Sequence, residues 1–192
     1  MALINPYLEF FSALPPWFHR DPRTPLDARE LLQPDWLALK SAIAGHFAWA
    51  VPTPEATAAI ARHARRVIEI GCGSGYWAWQ MRQVGIDVLA FDAAPPRFTW
   101  TEVRRGTELE AAAHADRTLF LCWPPWASPM AANAVALSRA EHVVYVGEWG
   151  GGCADARFFA LLATLFEPVA AVALPQWYMR TDALTVFRRC RW

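Results

Sequence analysis

From residue 66 onward the chain alternates short apolar runs with amphipathic stretches. "RVIEIG" (66–71) and "IDVLAFD" (86–92) read as strands, separated by the helical spacing of "GYWAWQMRQVG", which stops at Gly85. "FTWTEV" (Phe98 to Val103) predicts a third strand and "TELEAAAHA" a helix after it. "RTLFLCW" predicts a fourth strand, followed by a helix over "SPMAANAVALSRA" with Ser128 as cap and Pro129 at its first position. "EHVVYVGEW" predicts a fifth strand, and "ADARFFALLATLF" a helix. "PVAAVALPQW" and "ALTVFRRC" close the pattern as two strands joined through "YMRTD", an antiparallel pair. Continuous apolar strands alternating with helices predict a mostly parallel sheet covered on both faces.

The first fifty residues differ in texture. "PYLEFFSAL" and "DARELLQPDWLALKSAIAGHFAWA" have helical spacing, with Leu32, Trp36, Leu39 and Ile43 on one face and Asp27 and Glu30 placed as a capping box. "TPEATAAIARHARR" begins a helix with Thr53 as cap and Pro54 at the first position. These features predict one domain over 1–192: a helical cap over 1–50 and an α/β core over 53–192.

The turn between the first core strand and its helix, Gly71-Cys72-Gly73-Ser74-Gly75, carries the chemistry. Glycines there let backbone approach a ligand closely, and the following helix N-terminus favours negative charge. A dinucleotide fingerprint would need glycine at position 76, where Tyr76 stands, so the spacing argues against NAD. Glu69 is a carboxylate inside an apolar strand and needs a ligand or backbone donors there. Asp92 closes the second strand about 20 residues after Gly71.

Glu69-Ile70-Gly71-Cys72-Gly73-Ser74-Gly75 resembles motif I of the class I S-adenosylmethionine-dependent methyltransferases. The resemblance covers residues 53–192, final hairpin included, and implies the Rossmann-like class I methyltransferase fold with a seven-stranded sheet. More narrowly, the pattern "AWAVPTPEA…IEIGCGSGYWA…FLCWPPW…YVGEW" is similar to that of a group of small methyltransferase-like proteins. The resemblance implies S-adenosyl-L-methionine as cofactor, held by Glu69, Gly71, Cys72, Gly73 and Gly75. It also implies Asp92 on the ribose hydroxyls, Glu102 and Val103 against adenine, and Cys122 and Trp123 at the fourth strand's exit. Glu69 would orient the methionine end.

Trp123-Pro124-Pro125-Trp126 falls where amino-directed members of that family carry Asn or Asp before two prolines. Trp123 has an indole donor and no acceptor, which argues against their mechanism. Proline fixes φ and restricts the residue before it, so Trp123 and Pro124 are expected to be extended. Tryptophan faces suit a sulfonium cation and an apolar substrate wall. Packing under the cap is the competing reading of the two indoles. Trp49, Trp123, Pro124, Trp126 and Trp149 are the candidate substrate contacts.

Glu148 in "YVGEWGGG" is the first candidate for a general base, with a cap on the glycine turn's own N–H groups as its alternative. His46 is the second; His19 is weaker, and Tyr7 could line the roof.

Bulk composition narrows the partners. Eighteen basic residues balance eighteen acidic ones, so no overall field favours nucleic acid or an anionic membrane. Four scattered cysteines without a CxxC pair argue against zinc, and the N-terminal residues lack the pattern of a signal peptide. No apolar run approaches a membrane span, and a cytoplasmic protein acting on a small molecule is expected. The expected function is methyl transfer to oxygen, nitrogen or sulfur of a small aromatic or apolar acceptor. The alternatives are a cyclase or lyase using the same cofactor, a nucleic-acid methyltransferase, and a non-catalytic partner-binding module.

Overall fold

A computed structural model of the chain describes residues 3–19, 36–178 and 180–191. In chain order the elements are α1 (Pro6–Ala13), a 3-10 turn (Pro16–His19), α2 (Trp36–His46), α3 (Pro54–His63), β1 (Arg66–Ile70) and α4 (Tyr76–Gln83). Next come β2 (Asp87–Asp92), β3 (Arg104–Arg105), α5 (Glu110–Ala113), β4 (Thr118–Cys122), α6 (Met130–Leu137) and β5 (His142–Gly147). The chain ends through α7 (Ala156–Leu165), β6 (Phe166–Ala173) and β7 (Ala183–Arg189).

The strands form one seven-stranded sheet in the order β3-β2-β1-β4-β5-β7-β6. β1 to β5 pair in parallel, while β7 runs antiparallel to β5 and to β6. Strand order reverses between β1 and β4, so their carboxyl ends open onto one crevice. Period-two alternation splits the central strands between two cores. Val67, Phe120, Val144 and Val186 face α3 and α4, burying against Ile60, Trp77 and Met81. Ile68, Leu119, Leu121 and Val143 face the other way, toward Val135, Phe158 and Leu162 of α6 and α7.

A third cluster roofs one end of the sheet: Tyr7, Phe11, Phe18, Ile43, Val51, Tyr76 and Trp177. Asn5 organises it. Its side-chain oxygen caps α1 by accepting from Leu8 N–H at 3.1 Å and also accepts from the Tyr76 hydroxyl at 2.9 Å. The same hydroxyl accepts from Tyr7 N–H at 3.0 Å, and the Trp177 indole donates to the Tyr7 hydroxyl at 3.0 Å. Tyr7 is therefore a fully buried packing residue.

Several boundaries differ from the sequence reading. Phe98 to Val103 is not a strand. Trp100 turns back to donate its backbone N–H to the Ser74 carbonyl in the glycine turn and its indole N–H to the His46 carbonyl at the end of α2, instead of pairing in a strand. Pairing with β2 is left to Arg104–Arg105. The helix expected over Thr107–Ala115 shortens to Glu110–Ala113. α6 starts at Met130, one residue late, although the Ser128 hydroxyl does accept from Met130 N–H at 3.3 Å. Thr53 caps α3 as expected, accepting from Ala56 N–H. The Asp27–Glu30 capping box and Leu32 lie outside the described residues. Among the described residues no helix is long and apolar enough to cross a membrane.

Tyr76→Phe keeps the ring's packing and strips the cap of one donor and one acceptor at a fully buried position. We expect a loss of about 1–3 kcal/mol in unfolding free energy, read by urea denaturation.

Candidate functional site

The crevice holds a cavity of about 630 Å³. Its floor is the turn from β1 into α4. Gly75 caps α4 at φ 73°, and a Cβ there would lie 2.7 Å from Val103 Cγ2, so the position admits glycine alone. Gly73, at φ 52°, has nothing within 4 Å of where a Cβ would stand, so its backbone faces open space. Asp92 holds this turn: one carboxylate oxygen accepts from Gly73 N–H at 2.8 Å and the other from Ala94 N–H at 2.8 Å. Gly71 and Cys72 both donate to the Phe91 carbonyl. The cavity is also lined by Trp49, Glu69, Glu108, Cys122, Trp123 and Met130.

Glu69 is 2% exposed, and one of its carboxylate oxygens has no hydrogen-bond partner. Burial pushes its pKa from the ordinary carboxylate range up to about 8, against smaller opposing pulls from Ala78 N–H and Arg82. A buried, unpaired carboxylate lining a cavity suits a cationic or N–H-bearing ligand group. The Cys72 and Cys122 thiols are held neutral by burial, so neither is an activated nucleophile.

The tryptophan corner corrects the expectation of extended backbone. Trp123 has φ 48°, in the left-handed region. Two restraints hold it there. Its N–H donates to Val146 at 2.8 Å, prolonging the β4–β5 ladder, and its indole N–H donates to the Asp182 carboxylate at 2.6 Å. The ring lines the cavity and stacks on Trp49, centroids 5.7 Å apart and planes 27° off parallel. Pro125 also lines the cavity; Pro124 does not, and its carbonyl accepts from Ala154 N–H. Trp126 is 73% exposed and stands outside the cavity lining. Trp149 lies away from it too, packed on Phe159 and Phe187.

The remaining candidates are placed elsewhere. Glu148 does not line the cavity: its carboxylate accepts from Gly152 N–H at 3.2 Å and Thr181 N–H at 3.0 Å, and pairs with Arg180 at 3.5 Å. Turned toward those donors and away from the cavity, the carboxylate has the geometry of a cap on the glycine turn. His46 is exposed at the end of α2, stacked on Phe98 with centroids 4.8 Å apart. Glu102 points to solvent in an ion pair with Arg104, and Val103 packs on Gly75 instead of lining the cavity. On that side the cavity is lined by Gly106, Thr107 and Glu108 rather than by that pair, because the edge strand begins later than its pattern suggested.

Sequence reasoning missed one group altogether. Lys40 projects from α2 and is fully buried, its amine 5.0, 5.4 and 5.8 Å from the ring centroids of Trp123, Trp49 and Trp177. The amine has no hydrogen-bond partner. Burial lowers its pKa to about 8, opposed mainly by Asp182. Asp182 is 1% exposed, and burial raises its pKa to about 6, opposed by Lys40 and the Trp123 indole. The Arg180 guanidinium lies 5.4 Å from the same Trp123 ring. The overlooked signal was arithmetic: Lys40 is the one lysine in a chain with 17 arginines.

No known protein family matches the sequence, and no curated protein does. Solved structures match it by shape. The 1,6-didemethyltoxoflavin-N1-methyltransferase of Burkholderia thailandensis, solved with 1,6-didemethyltoxoflavin and S-adenosylhomocysteine, superposes with a TM-score of 0.57 at 17% identity, over 88% of this chain and 93% of that one. The fold is the Rossmann-like class I methyltransferase fold. The O-methyltransferase TomG of Streptomyces achromogenes, in complex with SAM, gives a TM-score of 0.49 at 21% identity, over 84% of this chain and 93% of its own. The magnesium protoporphyrin IX methyltransferase of Synechocystis PCC 6803, with bound SAM, gives 0.49 at 11%, over 82% and 86%.

Glu69 generates a pH signature. Its folded pKa of about 8 lies above the ordinary 4.5, so between those values the folded state holds a proton that the unfolded state has released. Stability from this group is present below about 4.5 and falls as pH rises toward 8. Glu69→Gln cannot titrate; the stability gap between variant and ligand-free wild type should shift in the variant's favour across that window, as read by thermal denaturation at several pH values.

Proposed function

We propose that the chain binds S-adenosyl-L-methionine in this cavity and is a methyltransferase acting on a small molecule. The observation that carries the proposal is the open Gly71–Gly75 turn bridged to Asp92, with an unpartnered Glu69 oxygen beside it. The fit of each part follows from chemistry. Glu69 offers a buried carboxylate to an α-ammonium group. Asp92, at the end of β2, has lone pairs left after its two backbone bonds and suits ribose hydroxyls. Gly106 to Glu108 would flank the base, and Trp49 and Trp123 present ring faces to a sulfonium. When bound, the cofactor supplies an electrophilic methyl group.

The protein's own contribution to such a transfer is positioning and exclusion of water. The cap performs the second task. The Ser74 hydroxyl donates to the Phe47 carbonyl, and the Trp77 indole donates to the Ala50 carbonyl at 3.2 Å, so the segment after α2 is laid over the glycine turn. Phe47 and Trp49 of that segment line the cavity, where they would limit the access of water.

The likeness to the 1,6-didemethyltoxoflavin-N1-methyltransferase, with its small-molecule ligand, supports a small acceptor, as does the balanced charge of the chain. Binding of S-adenosylmethionine and S-adenosylhomocysteine by isothermal titration calorimetry tests the reading; absence of heat for both removes it. Asp92→Ala should weaken S-adenosylhomocysteine by about 10- to 100-fold, the loss of charge-assisted hydrogen bonds. Chromatography of the spent cofactor separates methyl transfer, which yields S-adenosylhomocysteine, from lyase chemistry, which yields methylthioadenosine.

A further inference from the structure

We propose that Lys40, Asp182 and Arg180 form the acceptor subsite, and that it takes a small molecule through an acidic oxygen (a phenol, enol or carboxylic acid) bound as its anion. The role of this subsite in methylation rests on the function proposed above; the binding itself does not.

The first observation is composition. Every other side-chain cation in the chain is arginine, which stays charged in any protein environment, and the lone lysine is placed where it is fully buried. The second is incomplete pairing. Lys40 Nζ, Arg180 Nε and one Asp182 carboxylate oxygen are buried without hydrogen-bond partners, and all three residues surround the Trp123 indole. Leaving such atoms unpaired is costly, so a cluster of them beside a cavity-lining ring points to a ligand.

The donor inventory decides which ligand. The titratable groups whose charge acts on the Lys40 amine are Asp182, Arg180, Glu148 and Cys153. Glu148 is occupied by two backbone N–H groups and Arg180, and burial keeps the Cys153 thiol neutral with its pKa raised to about 11. Asp182 spends one oxygen on the Trp123 indole. What remains is an amine with up to three N–H bonds and one guanidinium N–H, against a single carboxylate oxygen. Donors are in excess, so the missing partner is an acceptor. Stacked indole faces of Trp49 and Trp123 then suit an aromatic or other flat ring behind that oxygen. Trp49 is 37% exposed and sits on the non-helical stretch between α2 and α3, making it the ring that yields when a ligand reaches the amine from the cavity.

The proton balance is simple. A neutral acid meeting the neutral amine passes its proton from oxygen to Nζ, leaving an anion beside an ammonium; with the amine already charged, the proton goes to solvent. In both cases the bound anion raises the pKa of Lys40.

A single lysine makes the experiment direct. Protein labelled with carbon-13 at the lysine Cε shows one side-chain resonance, which titrates with pH. In the free protein its midpoint should fall near 8. With saturating 4-nitrophenol, in the presence of S-adenosylhomocysteine, the midpoint should rise by about one unit or more, while nitrobenzene leaves it in place. Lys40→Met should lose 4-nitrophenol affinity by at least about tenfold while retaining S-adenosylhomocysteine binding. Asp182→Asn, which keeps an acceptor for the Trp123 indole, should blunt the shift and serves if the first variant does not fold. If S-adenosylhomocysteine binds but 4-nitrophenol neither binds nor moves the Lys40 resonance, the subsite is overturned and the cofactor reading stands. If 4-nitrophenol moves the resonance and neither S-adenosylmethionine nor S-adenosylhomocysteine binds, the subsite stands and the methyltransferase reading falls.

Discussion

The hydrogen bond from the Trp123 indole to the buried Asp182 carboxylate joins the two halves of this molecule. Trp123 leaves β4, the central parallel strand, and Asp182 precedes β7, the antiparallel strand inserted at the other side of β5. With the indole held, the backbone takes a left-handed φ that no isolated Trp-Pro step favours, and one ring surface joins the cavity wall. Lys40, Trp49 and Arg180 then gather around that ring. Without this tie the glycine turn would still form, but the Trp123 ring on the cavity wall would keep only its backbone bond to Val146 and its stack on Trp49.

The cap is built into the same logic. Asn5, Tyr7, Tyr76 and Trp177 share polar atoms in the middle of an apolar cluster, so α1 is registered on α4 and on the segment before β7 at once. Aromatic residues with one polar tip suit this task, since each buries a large face and still satisfies its hydroxyl or indole. Much of the chain's tryptophan content is spent here and around the cavity, on contacts between segments distant in sequence.

Burial also sets the electrostatics. Glu69, Lys40 and Asp182 each sit where their charged form is penalised, and each moves toward neutrality. Glu148, 8% exposed, receives the N–H groups of Gly152 and Thr181 and pairs with Arg180.

The seven-stranded α/β architecture, the glycine turn and Asp92 were legible in the sequence because they depend on local rules: apolar runs, period, turn glycines and a strand-ending acid within one βαβ unit. Thr53 at the start of α3 was legible for the same reason. The edge strand was misplaced because Phe98–Val103 has strand-like residues whose preference yields to Trp100's bonds with Ser74 and His46. Glu148, Trp126 and Trp149 looked like site residues since they stand at strand exits, yet side-chain direction there is set by partners far along the chain. Lys40 was invisible to pattern because an amphipathic helix gives no sign of what a lysine will meet across the fold. Sequence determined where the backbone would turn open at the exit of β1; only the tertiary structure decided which charges would be stranded near it, because desolvation belongs to the packed assembly of distant segments and to no one of them alone.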